Sequence, residues 1–141
     1  MPKISFHFLD VKTTLANRLK LKSFIHSIFI KEKQPISTLA YIFCTDEYLL
    51  GINKQFLNHD TYTDIITFTL SNKNEPIEGE IYISIDRVKE NATTHQTTLT
   101  QEMHRVIFHG ALHLCGYTDK TTAAKVVMRQ MEDKCLNQYF Q

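Results

Sequence analysis

Two histidines four residues apart, His109 and His113, are the part of this 141-residue sequence most suited to chemistry. On a helix that spacing puts both imidazoles on one face, with Cβ atoms about 5–6 Å apart. Two ring nitrogens can then reach a single metal ion at the roughly 2.0–2.1 Å of a zinc–imidazole bond. Two ligands do not hold an ion durably, so a third must come from elsewhere. Gly116 turns the chain just past the second histidine, and Asp119 falls where the chain can fold back over the same helix face. His109, His113 and Asp119 thus form a candidate three-ligand set with a fourth position open to water, the pattern of a catalytic metal centre. Zinc suits these donors best; manganese, nickel and iron also accept a site that includes a carboxylate. The plainer reading makes the histidines surface or core residues and Asp119 a helix cap. Spacing, the chain-reversing glycine and the carboxylate together favour the metal.

A metallopeptidase built on such a helix needs the pattern H-E-x-x-H, in which the glutamate is the general base. Here that position is Gly110. Peptide hydrolysis therefore lacks its base. Phosphodiester cleavage asks less of a side chain, because a cation can itself stabilise charge developing on phosphoryl oxygens. Glu102 falls on the same helical stripe as Val106, His109 and His113, where it could orient a ligand imidazole or simply favour the helix N-terminus. His104 lies off that stripe and reads equally as a substrate contact or a surface residue. His7, His26 and His95 show no spacing to the site.

The elements that must position these residues follow from periodicity. Residues 4–9 alternate as a strand. Apolar residues at helical spacing run from about Thr13 to Lys31, ending at Gln34-Pro35. Residues 36–44 form a β-branched and aromatic strand, and Thr45 caps a helix carrying Tyr48, Leu49, Ile52 and Phe56 on one face. Residues 58–61 read as a loop, 64–70 as a strand, 71–76 as a turn and 79–85 as a fourth strand. Asp86 opens a short helix. Thr98 with Gln101 starts the helix bearing His109 and His113, which Gly116 ends. Thr118 or Asp119 caps a last helix, in which Met128 and Met131 read as core. The expected fold is a single α/β (α+β) domain over residues 1–141, with a small four-stranded mixed sheet and the metal cleft near the last two helices.

Composition narrows the function classes. At 43% hydrophobic and 22% charged, the chain is ordinary globular protein, with no run approaching the roughly 20 apolar residues of a membrane helix. Without a signal-peptide pattern, a cytoplasmic location is expected. Three cysteines with no C-x-x-C spacing argue against a disulfide framework or a thiolate zinc site. Charge is uneven. Residues 1–33 hold seven basic side chains against two acidic ones, a balance of +5, and the remainder carries −4. A basic first third is compatible with a polyanionic partner, but on charge alone a solvated helix face is the better reading.

At the string His109-Gly110-Ala111-Leu112-His113-Leu114-Cys115-Gly116-Tyr117 the sequence resembles the YbeY family, whose signature is H-G-x-L-H-L-x-G-Y-D-H. A looser match runs from Asn53 to Phe68, against N-x-x-[YF]-R-x-x-D-x-x-T-D-V-L-S-F, and includes Thr63 and Asp64. With the Gly79-Glu80-Ile81 strand, Glu102 and His104, the likeness spans essentially the whole chain. It implies a metal-dependent endoribonuclease acting on single-stranded RNA in 16S rRNA 3′-end maturation and ribosome quality control. Ribosomal RNA and small-subunit ribosomal proteins are the partners it implies. Two departures from the family matter, and the first includes Thr118, which stands where the signature has an aspartate. Asp119 stands where the signature has its third histidine, and a carboxylate makes the bound metal a weaker Lewis acid. Leu57 stands where the family carries an arginine, and leucine cannot make a bidentate phosphate contact. Lys54, His59 or Arg105 are the nearby cations that could compensate. Leu57 also keeps open an alternative: an rRNA-binding ribosome-assembly factor with weak or no nuclease activity and a mainly structural metal.

Overall fold

The computed structural model describes residues 2–57 and 63–141. Along the chain run β1 (Lys3–Phe8), α1 (Arg18–Lys31), β2 (Ile36–Cys44), α2 (Asp46–Phe56), β3 (Ile65–Thr69), β4 (Ile77–Ser84), α3 (Ile85–Thr94), α4 (Leu99–Leu114) and α5 (Thr122–Tyr139). The strands form one mixed sheet in the order β1-β2-β4-β3. β1, β2 and β4 are parallel, and β3 closes one edge antiparallel to β4. The α/β architecture read from the sequence is the one observed.

Strand alternation decides which side chains meet the helices. Leu39, Tyr41 and Phe43 of β2 and Ile81 and Ile83 of β4 are buried in the main core, with Leu21, Ile25 and Phe29 of α1 and Ile107, Phe108, Ala111 and Leu112 of α4. Register aligns Tyr41 with Ile81 and Phe43 with Ile83. The buried Tyr41 hydroxyl donates to the Ile107 carbonyl at 2.9 Å, tying sheet to α4. A smaller cluster, Cys44, Leu49, Ile52 and Ile66, seats α2. No helix among the described residues is long and apolar enough to cross a membrane.

Element boundaries depart from expectation where backbone conformation intervenes. α1 begins at Arg18 rather than near Thr13, because Asn17 adopts a left-handed φ of 55°. Leu15 still reaches the core, but from an irregular segment. α3 is capped by Ser84, whose Oγ accepts from Arg87 N, so it opens at Ile85 rather than Asp86. Thr98 caps α4 as expected, its Oγ1 accepting from Gln101 N at 3.1 Å. α5 is capped by Thr121, not by Thr118 or Asp119. Asp119 is thereby free of cap duty. Burial pushes the Cys44 and Cys115 thiols up to about 12 and Cys135 to about 11, so none is a ready thiolate.

Gly110 explains why α4 can lie so close to the sheet. A Cβ there would sit 2.8 Å from Ile81 Cδ1 and 3.1 Å from Ile65 Cδ1. The position that would hold a metallopeptidase's glutamate thus faces β3 and β4, and any larger side chain there must push Ile81 and Ile65 or the helix aside.

Candidate active site

The last turn of α4 positions His113. Gly116, at φ 108°, lets the chain reverse so that Tyr117 N donates to Leu112 O at 3.1 Å and Gly116 N to His113 O at 3.0 Å. These are the two bonds of a Schellman motif. The same reversal aims the Tyr117 carbonyl at the His113 ring, 3.0 Å from Nδ1. A carbonyl only accepts, so Nδ1 carries the proton and Nε2 keeps its lone pair.

His109 is held from another direction. Its Nδ1 lies 2.6 Å from Glu132 Oε2, on α5. Glu132 is almost fully buried, and its other oxygen accepts from Arg105 Nη1 at 2.8 Å. Arg105 Nη2 in turn reaches Asp133 Oδ1 at 2.6 Å. Burial alone would lower the His109 pKa. The hydrogen bond and charge of Glu132, helped by Asp119 and Asp64, outweigh it and raise the pKa. The Arg105 pKa is likewise raised, burial being outweighed by Glu132 and Asp133. The His109 and His113 rings are nearly parallel, 7° apart in plane, with centroids separated by 6.3 Å.

Both imidazoles line a cleft of about 630 Å³ between α4, the C-terminal end of α2 and β3. Asp119, Lys120, Asp64, Asn53 and Leu57 line it too. Asp119 Oδ2 lies 3.6 Å from His109 Nε2. That is long for a hydrogen bond, but near the roughly 3.4 Å that separates two ligand atoms on a tetrahedral ion at about 2.05 Å. Asp64 is held by Asn91 Nδ2 at 3.3 Å, and burial raises its pKa against the opposing pull of His109. The donors fit a divalent metal in kind: two imidazoles with free Nε2 lone pairs and a half-exposed carboxylate. Among the described residues, no three His, Cys, Asp or Glu side chains yet converge tightly enough to hold an ion as they stand.

A family model described as Endoribonuclease YbeY matches residues 8–140. The chain belongs to the YbeY family. An "Endoribonuclease YbeY" of Cytophaga hutchinsonii is 51% identical over 134 residues, 95% of this chain and 94% of that protein. One from Flavobacterium psychrophilum is 43% identical over 133 residues, 94% of each chain. A Thermotoga maritima protein of known solution structure shares the fold, with a TM-score of 0.62 at 24% identity, over 99% of this chain and 89% of that one.

Set in this YbeY fold, the remaining residues singled out from the sequence are distributed unevenly. Glu102, read either as a partner of a ligand imidazole or as a first-turn carboxylate, lies in the first turn of α4 with Oε1 3.5 Å from His95 Nδ1. It shares a stripe with His109 but sits seven residues, about 10 Å of helix rise, below it. The carboxylate that does meet His109 is Glu132, which sequence reading passed over. Its only signal was a glutamate at position 132 in an otherwise apolar α5 face with Met128 and Cys135. His104 is buried, neither at the surface nor in the cleft. Its Nδ1 donates to Thr100 O at 2.7 Å and its ring stacks on Tyr139 with centroids 5.2 Å apart. Arg105 is taken up by Glu132 and Asp133. Lys54 does not line the cleft, and His59 lies outside the described residues. Leu57 does line it. Lys120 is the one lysine or arginine lining it among the described residues. No residue of the basic helix α1 does; Lys20, for example, donates to the Tyr139 carbonyl at 2.8 Å.

Proposed function

We propose that this protein is a metal-dependent endoribonuclease that cuts single-stranded RNA. The observation that carries this reading is the pair of imidazoles on α4. Each has its Nδ1 proton engaged on a protein oxygen, leaving both Nε2 lone pairs available at one cleft. His109, His113 and Asp119 would hold one divalent ion, with zinc the best match to the donors. Bound there, such an ion supplies Lewis acidity toward a phosphoryl oxygen and an attacking water. Lys120 is placed to neutralise backbone phosphate, and Asp64 offers a desolvated carboxyl in the same cleft. With Leu57 in place of arginine, the chain relies on fewer cationic contacts to its substrate. The relatives' shared name supports cleavage over the alternative of an assembly factor without nuclease activity.

The physiological reading follows the family. The substrate is ribosomal RNA at the 3′ end of 16S rRNA, the setting is ribosome maturation and quality control in the cytoplasm with small-subunit proteins as neighbours, and the whole chain acts as one catalytic domain. The test is cleavage of fluorescent single-stranded and duplex RNA by zinc-loaded wild type and His113→Ala. Cleavage of the single strand by wild type alone is expected. Equal cleavage by both proteins would remove the cleft from the reaction.

A further inference from the structure

We propose that Glu132 is the positioning residue of this site: held by Arg105, it fixes the tautomer and ring orientation of His109 so that Nε2 presents a lone pair to the cleft. The inference rests on the metal reading above and assigns a role to a residue on a different helix from the two histidine ligands.

The carboxylate is a double acceptor and is used as one. Oε1 takes the Arg105 Nη1 proton at 2.8 Å, and Oε2 takes the His109 Nδ1 proton at 2.6 Å. Glu132 is 6% exposed, so water competes little for either oxygen. A neutral imidazole carries its proton on one nitrogen only, and a fixed acceptor at Nδ1 leaves Nε2 bare. Hydrogen-bond partners of this kind typically change metal affinity 10–100-fold when removed. His113 obtains the same tautomer from its own helix's C-terminal turn, through the Tyr117 carbonyl. His109, four residues earlier, has no chain end beside it. Its partner must come from α5, which is why the last helix belongs to the site.

Arg105 makes Glu132→Gln a sharp probe. An amide offers one acceptor oxygen and one donor nitrogen. The guanidinium can only donate, so it draws the amide oxygen to itself and leaves the NH₂ facing His109 Nδ1. His109 must then either accept there, moving its proton to Nε2, or lose the contact. The first outcome occupies the Nε2 lone pair and the second removes the contact that kept it free and aimed, in either case without changing side-chain size. Arg105→Met added to Glu132→Gln releases the amide, which can turn its oxygen back to His109.

The experiment measures two quantities on the full-length protein. One is the His109 tautomer in metal-free protein, from long-range ¹⁵N–¹H NMR correlations. The other is zinc affinity, by competition with a chromophoric chelator. Wild type is expected to show the Nδ1–H tautomer. Glu132→Gln should shift toward Nε2–H and bind zinc 10–100-fold more weakly. The double variant should regain part of both. A Glu132→Gln protein with wild-type tautomer and zinc affinity would overturn the proposal. So would an equal loss in Arg105→Met alone with the tautomer unmoved, which would mark a packing fault between α4 and α5. If Glu132→Gln does not fold, the double variant decides: a wild-type tautomer with restored affinity supports the proposal, and weak binding with that tautomer overturns it. Failure of wild type to bind zinc, or undiminished binding by His113→Ala, would instead overturn the metal reading itself.

Discussion

The two ends of α4 carry the same kinds of residue in different surroundings. Near its start, Glu102, His104 and Arg105 are turned into the protein: His104 against Tyr139 and Phe140, Arg105 onto two α5 carboxylates, Glu102 toward His95. Near its end, His109 and His113 meet a cleft, and among the described residues no hydrogen bond engages their Nε2 atoms. His104 and His113 even share a device, a Nδ1 bond to a backbone carbonyl. One is closed in by aromatic rings and the other opens on solvent. A histidine on a helix is thus a ligand candidate only when the neighbouring elements leave its outer nitrogen free.

The comparison breaks most visibly if the two ends prove interchangeable. His109→Ala or His113→Ala should each reduce zinc affinity by at least about a hundredfold, more than loss of an outer hydrogen-bond partner. His104→Phe, which keeps the stack on Tyr139, should leave it unchanged. Chelator competition on purified protein checks both, and equal effects at the two ends would erase the distinction. Next in size is the third ligand. Asp119→Ala should cost about tenfold or more in affinity, and Asp119→His should restore it, since either side chain offers zinc a donor. Because Thr121 already caps α5, neither change should lower Tm appreciably; a fall in Tm with affinity intact would return Asp119 to a structural role.

Gly110 is the pivot between the ends. Gly110→Ala places a methyl 2.8 Å from Ile81 Cδ1. Overpacking of that kind typically costs about 1–3 kcal/mol. Thermal denaturation should show a Tm lower by several degrees, with weaker metal binding as the histidines move with the helix.

The smallest effect is in pH dependence, where the two histidines oppose each other. Burial, partly offset by its bond to Thr100 and reinforced by Lys20, lowers the His104 pKa. The unfolded chain then binds that proton more readily, so stability is lost as pH falls below the ordinary histidine value of about 6.5. His109 has a raised pKa, so its contribution is present below that value and is lost as pH rises through its folded pKa. In metal-free protein, His104→Phe should flatten the loss of Tm as pH falls from about 6.5 to 5, whereas His109→Phe should abolish a loss of Tm as pH rises above about 6.5. Identical profiles would mean the two sites share one environment.

By itself the sequence determined what local rules govern: the alternation that made β2 and β4 core strands, the Thr45 and Thr98 caps, and the Gly116 reversal. The spacing of His109 and His113 belongs with these, since 3.6 residues per turn puts them on one face in any helix. The helix starts at Arg18 and Thr122 were beyond it, because a left-handed Asn17 and a competing cap at Thr121 decide them. The tertiary structure alone decided which carboxylate serves His109. Glu102 shares its stripe yet sits two turns away, and Glu132, 23 residues on, arrives only because α5 packs across α4. Contact between side chains depends on distance in space, and periodicity along one helix fixes direction without fixing what lies in that direction.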